Sequence, residues 1–144
     1  MKSLKALVVT GLALFALSSQ ITLQAHCQVP CGIYGDPTRF EILKEHVKTI
    51  KKAMTEIENS STNKNQVARW VLNKEEHASK IIDEAGNYFL AQRIKFDQKD
   101  YEESLKLLHQ MIVHSMKCKQ TTDPTNADKL EKVILDFEKL YNTK

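Results

Sequence analysis

The stretch Asp36-Pro37-Thr38-Arg39-Phe40-Glu41-Ile42-Leu43-Lys44-Glu45-His46-Val47-Lys48-Thr49-Ile50-Lys51-Lys52-Ala53-Met54-Thr55-Glu56-Ile57 decides the fold. Phe40, Leu43, Val47, Ile50, Met54 and Ile57 recur at alternating steps of three and four, a heptad-type seam held over about five turns. A helix with such a seam packs against other helices. Asp36 reads as its N-cap and Pro37 as its first helical residue, where the missing N–H costs nothing.

Working outward toward the C-terminus, the polar run 59–65 breaks the pattern. A second helical stretch then carries Val67, Trp70, Val71, Ala78, Ile81, Ile82, Ala85 and Phe89, and ends near Leu90 to Ile94. Asp100 with Glu103 resembles a capping box that starts a third helix with Leu105, Leu108, Met111, Ile112 and Ser115 or Met116. Asp123-Pro124 breaks the chain again. Thr125 with Asp128 offers another box before Leu130, Val133, Ile134, Phe137, Leu140 and Tyr141. Short connections make successive helices antiparallel neighbours, so the expected fold is all-α, an up-down-up-down four-helix bundle over residues 36–144. Only four glycines in 144 residues agree with this.

Toward the N-terminus, residues 1–25 read as a secretory signal. Lys2 and Lys5 form a basic start, Ala6 to Leu17 an apolar centre too short for a membrane span, and Leu23-Gln24-Ala25 a small-residue cleavage site. The expected protein is exported, periplasmic or secreted, with no membrane attachment after cleavage. The leader holds two of the 21 basic residues and none of the 18 acidic ones, so the mature chain is nearly neutral. Nothing in that balance calls for nucleic acid. The remainder suits one domain of roughly 100–150 residues.

Between leader and bundle lies His26-Cys27-Gln28-Val29-Pro30-Cys31-Gly32-Ile33-Tyr34, which with Gly35 makes a 26–35 hook. Three cysteines in an exported chain exclude a complete disulfide framework. As a zinc site the hook supplies three side-chain ligands at most and lacks the paired spacing of structural zinc motifs. As a redox centre it lacks Cys-x-x-Cys spacing and a βαβ setting. A third reading uses the backbone. Cleavage after Ala25 frees the His26 amine, which with the Cys27 peptide nitrogen and the Cys27 and Cys31 thiolates can close a planar N2S2 set. Nitrogen and soft thiolate donors in a square plane point to Ni(II) or Cu(II), with the His26 imidazole approaching along the axis. Pro30 and Gly32 suit a chain that turns back on itself.

These residues, His26, Cys27, Pro30, Cys31, Gly32 and Tyr34 followed by Asp36-Pro37 and a helix, resemble the hook of the nickel-containing superoxide dismutases. Lys74-Glu75-Glu76 and Tyr88-Phe89 also fall at matching places. The resemblance implies a four-helix bundle assembled as a homohexamer, with one nickel ion per subunit. It implies disproportionation of two superoxide ions to dioxygen and hydrogen peroxide by a Ni(II)/Ni(III) cycle. On that carry-over His26, Cys27 and Cys31 are the metal ligands, Tyr34 sits over the open face, and Tyr88 matches a second tyrosine near it. A glutamate and an arginine hold the histidine ring in the family. Glu41 matches the glutamate, and His77 stands at the arginine position, with Arg69 as another candidate. Gln28-Val29 replaces the Asp-Leu of many members.

The competing class is an exported helical binding protein whose Cys27 and Cys31 form a disulfide or hold copper without turnover. Elsewhere the residues read plainly. His46, His109 and His114 belong to solvated or half-buried helix faces, the methionines to core filling, and Cys118 to a lone thiol on a helix. Trp70 and Tyr141 are left over for subunit contacts. Glu45, Glu56, Glu75 and Glu76 lack the paired Glu-x-x-His pattern of diiron bundles.

Overall fold

The structure, a computed structural model, describes residues 35–143. His26, Cys27, Cys31 and Tyr34 lie outside the described residues, as does the leader. Four helices follow one another: α1 (Asp36–Asn59), α2 (Lys64–Asp83), α3 (Tyr101–Gln120) and α4 (Pro124–Tyr141), and α2 runs on without a break into a π-helical segment, Glu84–Arg93. No strand occurs among the described residues.

α1 packs on α2 and α4, and α3 packs on the same two, so the four helices close a square. Cross-helix pairs fix the directions. Arg39 meets Glu84, the His46 ring meets His77, and Lys52 lies over Trp70, so α1 and α2 run antiparallel. Lys44 meets Glu138 and Lys51 meets Glu131, so α1 and α4 do too. The expected up-down-up-down bundle is present.

Phe40, Leu43, Val47, Ile50 and Met54 of the α1 seam are all buried, as are Ala78, Ile81, Ala85 and Phe89 from the second stretch and Leu130, Val133, Ile134 and Phe137 from α4. The α3 face is turned from the one expected: Leu107 joins Leu108, Met111, Ser115 and Cys118 inside, while Met116 is 47% exposed. Ser104 lies on the same buried face because its hydroxyl bonds Asp100. The buried Ser115 likewise bonds the Met111 carbonyl. Small hydroxyl residues thus tolerate burial once their one donor is spent.

Three expected caps take other forms. Gly35, at φ 83°, occupies the N-cap of α1 and Asp36 is already helical. Asp100 stands at the α3 N-cap without a side-chain bond to the helix amides; its carboxylate accepts from Ser104. At α4 the cap is Asp123, accepting from the Thr125 amide at 2.9 Å, because Pro124 at the helix start places Asp123 one residue outside it. Asp128, freed from capping, pairs with Lys51 at 2.7 Å.

In the π segment the Ile94 amide reaches back five residues to the Phe89 carbonyl. This wider coil buries Ala85, Tyr88 and Phe89 together and delivers Arg93 to the start of α1. Such coils are rare and occur frequently at functional sites.

Candidate metal centre

The end of the bundle where the hook joins is built around Asp36. Its Oδ1 accepts from the Tyr88 hydroxyl and, at 2.9 Å, from Arg93 Nε; its Oδ2 accepts from the Tyr141 hydroxyl at 2.6 Å. Arg93 Nη2 also donates to the Tyr88 oxygen at 3.2 Å. Two guanidinium groups flank the Tyr88 ring, Arg93 at 4.7 Å and Arg39 at 5.1 Å from its centroid, a cation–π arrangement. Arg39 is in turn paired with Glu84 at 3.3 Å. One acid and one base cancel in each pair.

Burial opposes ionisation of Asp36, but the bonds from Tyr141, Tyr88 and Arg93 outweigh it and hold the carboxyl below its ordinary range. Burial and the adjacent Asp36 push both tyrosines up. The two hydroxyls therefore stay protonated donors at neutral pH. Tyr141, expected at subunit contacts, spends its hydroxyl inside this network.

His77, expected beside the hook histidine, meets His46 across the α1–α2 interface with Nδ1 atoms 2.9 Å apart. One ring must carry the hydrogen and the other accept it. Burial, then the His77 and Lys80 charges, lowers His46 to about 4, and burial with Lys80 lowers His77 too. A histidine lowered from 6.5 binds fewer protons folded than unfolded, so its contribution is full above pH 6.5 and is lost as pH falls toward 4. Thermal melts from pH 7 to pH 4.5 should show wild type losing more stability than His46→Gln. Parallel curves would contradict the pairing.

Glu41, the other expected ring support, is exposed and pairs with Lys44 at 2.6 Å. Arg69 is exposed near the opposite end, about 22 Å along the helix from Glu84 at 1.5 Å per residue. The structure thus brings Tyr88 to the hook's base, while Glu41 and His77 lie farther along α1 and α2.

Sequence reading missed Asp36, Arg93, Arg39 and Glu84 as a group. The signal was faint: Asp before Pro looks like a cap, and Arg93 lay at a helix end whose π winding has no clear periodicity. It matched Lys74 to the family without giving it a role; the residue is only 3% exposed, and its Nζ donates to the Cys118 and Lys119 carbonyls at 2.6 and 2.5 Å. That ammonium closes the C-terminus of α3, where the helix dipole favours a cation. Cys118 is a free, buried thiol pushed up to about 11, mainly by burial, and so is inert. His109 is exposed and His114 half-buried, as expected of helix-face residues.

Among the described residues no three potential ligands come together to hold a metal ion. The donors named from the sequence, His26, Cys27 and Cys31, precede Gly35. Their chemistry, two thiolates with amine, amide and imidazole nitrogens, fits nickel better than a hard cation. A four-helix body preceded in the sequence by His26, Cys27 and Cys31 belongs to the class of helical-bundle proteins. The family model for nickel-containing superoxide dismutase matches residues 21–144, and the chain belongs to that family. It is an oxidoreductase that uses nickel and acts on superoxide. No curated protein and no solved structure matches the chain.

Proposed function

We propose that residues 1–25 are removed during export, that the freed His26 with Cys27 and Cys31 holds one nickel ion per subunit, and that the mature protein works in the periplasm or outside the cell as a homohexamer. The observation that carries this reading is that one family match spans both the hook and the helical body. Bound there, nickel supplies a one-electron Ni(II)/Ni(III) cycle for the two halves of superoxide disproportionation.

The chain's own residues have distinct tasks. The His26 amine and imidazole, the Cys27 nitrogen and thiolate and the Cys31 thiolate bind the ion. Tyr34 orients the incoming anion and water. Tyr88 stands behind, its hydroxyl proton committed to Asp36, so it orders the site without supplying protons. His77 can support the His26 ring through Nε2 while Nδ1 stays with His46, and Glu41 can do so only by leaving its pair with Lys44. No helix among the described residues is long and apolar enough to cross a membrane.

The test compares protein with His26 confirmed as its first residue against protein keeping one extra residue before it. About one nickel per chain and superoxide turnover in the first sample alone are expected. Correct cleavage with a Cys27–Cys31 disulfide, no nickel and no turnover would favour the binding-protein alternative.

A further inference from the structure

We propose that Asp36 is the positioning residue of the hook, clamped by Arg93, Tyr88 and Tyr141 so that the metal-binding segment leaves the bundle from one fixed point. This rests on the dismutase reading of residues 26–35. Three observations support it.

First, the contacts come from three separate places in the chain. Asp36 belongs to α1, Tyr88 and Arg93 to the π segment, and Tyr141 to the last residue of α4. A carboxylate needed only as a helix cap would bond its own first-turn amides; this one makes no such cap, and Gly35 takes that position.

Second, the clamp is directional. The Arg93 and Tyr88 donors share Oδ1 while Tyr141 takes Oδ2, so the carboxylate plane is set from two sides. Gly35 then turns at φ 83°, a left-handed conformation that side chains rarely adopt, immediately before the held residue. No other positive φ occurs among the described residues. The last turn before the hook is therefore fixed by its backbone and by the residue behind it.

Third, the network is unsuited to being a proton source. Its carboxylate is held ionised and both phenols are held protonated, and Glu84, which burial pushes up, is paired with Arg39 and not with this carboxylate. What remains is geometry. A reacting centre displaced by about 1 Å can lose on the order of a hundredfold in rate, and a site is kept from that loss by a rigid base.

The test uses full-length protein processed to His26 and loaded with nickel. Asp36→Asn keeps the shape and removes the charge that Arg93 pairs with, while Tyr141→Phe removes one donor. Lys51→Met, which breaks ion pairs to Asp128 and Glu131 about 22 Å farther along α1, controls for general destabilisation. Asp36→Asn should release nickel to a chelator roughly tenfold faster, alter the thiolate-to-nickel charge-transfer absorption, and lower turnover by about 10–100-fold. Tyr141→Phe should move the same readouts less, and Lys51→Met should leave the absorption unchanged. Wild-type absorption and nickel release in Asp36→Asn would overturn the clamp, as would equal changes in Lys51→Met. Wild type that takes up no nickel would instead remove the dismutase reading, and the clamp with it.

Discussion

Cys31→Ser, in protein beginning at His26, is expected to lose its nickel and at least about a hundredfold of superoxide turnover, since even indirect supports of a metal site are worth 10–100-fold. A serine hydroxyl stays protonated at neutral pH and offers a hard oxygen where the proposed site would offer nickel a soft thiolate. The loss should come without unfolding. The buried core begins at Phe40 and draws its described members from the four helices and the π segment, so the apo variant should melt with apo wild type. Cys118→Ser is the matching control. That thiol is buried on α3 and pushed up to about 11, so its replacement should affect packing and leave nickel content alone. Metal analysis, turnover and melting of the two variants separate the roles. A Cys31→Ser protein with one nickel per chain and wild-type turnover would remove Cys31 from the ligand set.

How far such roles could be read in the sequence depended on the kind of force involved. The α1 seam was legible because burial is periodic: Phe40, Leu43, Val47 and Ile50 each turn inward as the spacing requires. The hook reading used only local sequence, because the residues it names are adjacent in the chain, and most of it lies outside the described residues. Asp36 was misread because its partners Tyr88, Arg93 and Tyr141 lie 52, 57 and 105 residues away, and no local pattern encodes contacts of that kind. The α3 face was partly misread for a related reason. Ser104 and Ser115 look polar in a pattern count, yet each bonds a nearby oxygen and turns inside. Lys74 is the same lesson in a charged residue: an ammonium goes inside when two carbonyls at a helix end accept from it.

Phe89→Ala is expected to cost about 3–5 kcal/mol of stability, the usual range for emptying a buried phenylalanine site. A domain of this kind has roughly 5–15 kcal/mol in all, so the variant should sit near the limit of folding. The size follows from position. Phe89 is fully buried, with ring centroids 5.0 Å from Phe40, 5.0 Å from Phe137, 5.1 Å from Tyr88 and 5.7 Å from Tyr141. Its edge-on contacts with Phe137, Tyr88 and Tyr141 are of the favoured aromatic kind. The ring therefore joins α1, the π segment and α4 at the end that carries the hook. Phe89→Leu keeps most of the apolar volume and should cost less, roughly 1–2 kcal/mol. Denaturant midpoints of the two variants test the size of the effect, and the nickel absorption of Phe89→Leu tests its reach. Two donors to Asp36, Tyr88 and Tyr141, pack against this ring, so loosening it should disturb the hook's base before the far end of the bundle. A cost below about 1 kcal/mol for Phe89→Ala would mean that the surrounding rings close the gap, and the aromatic cluster would then not be what holds that base rigid.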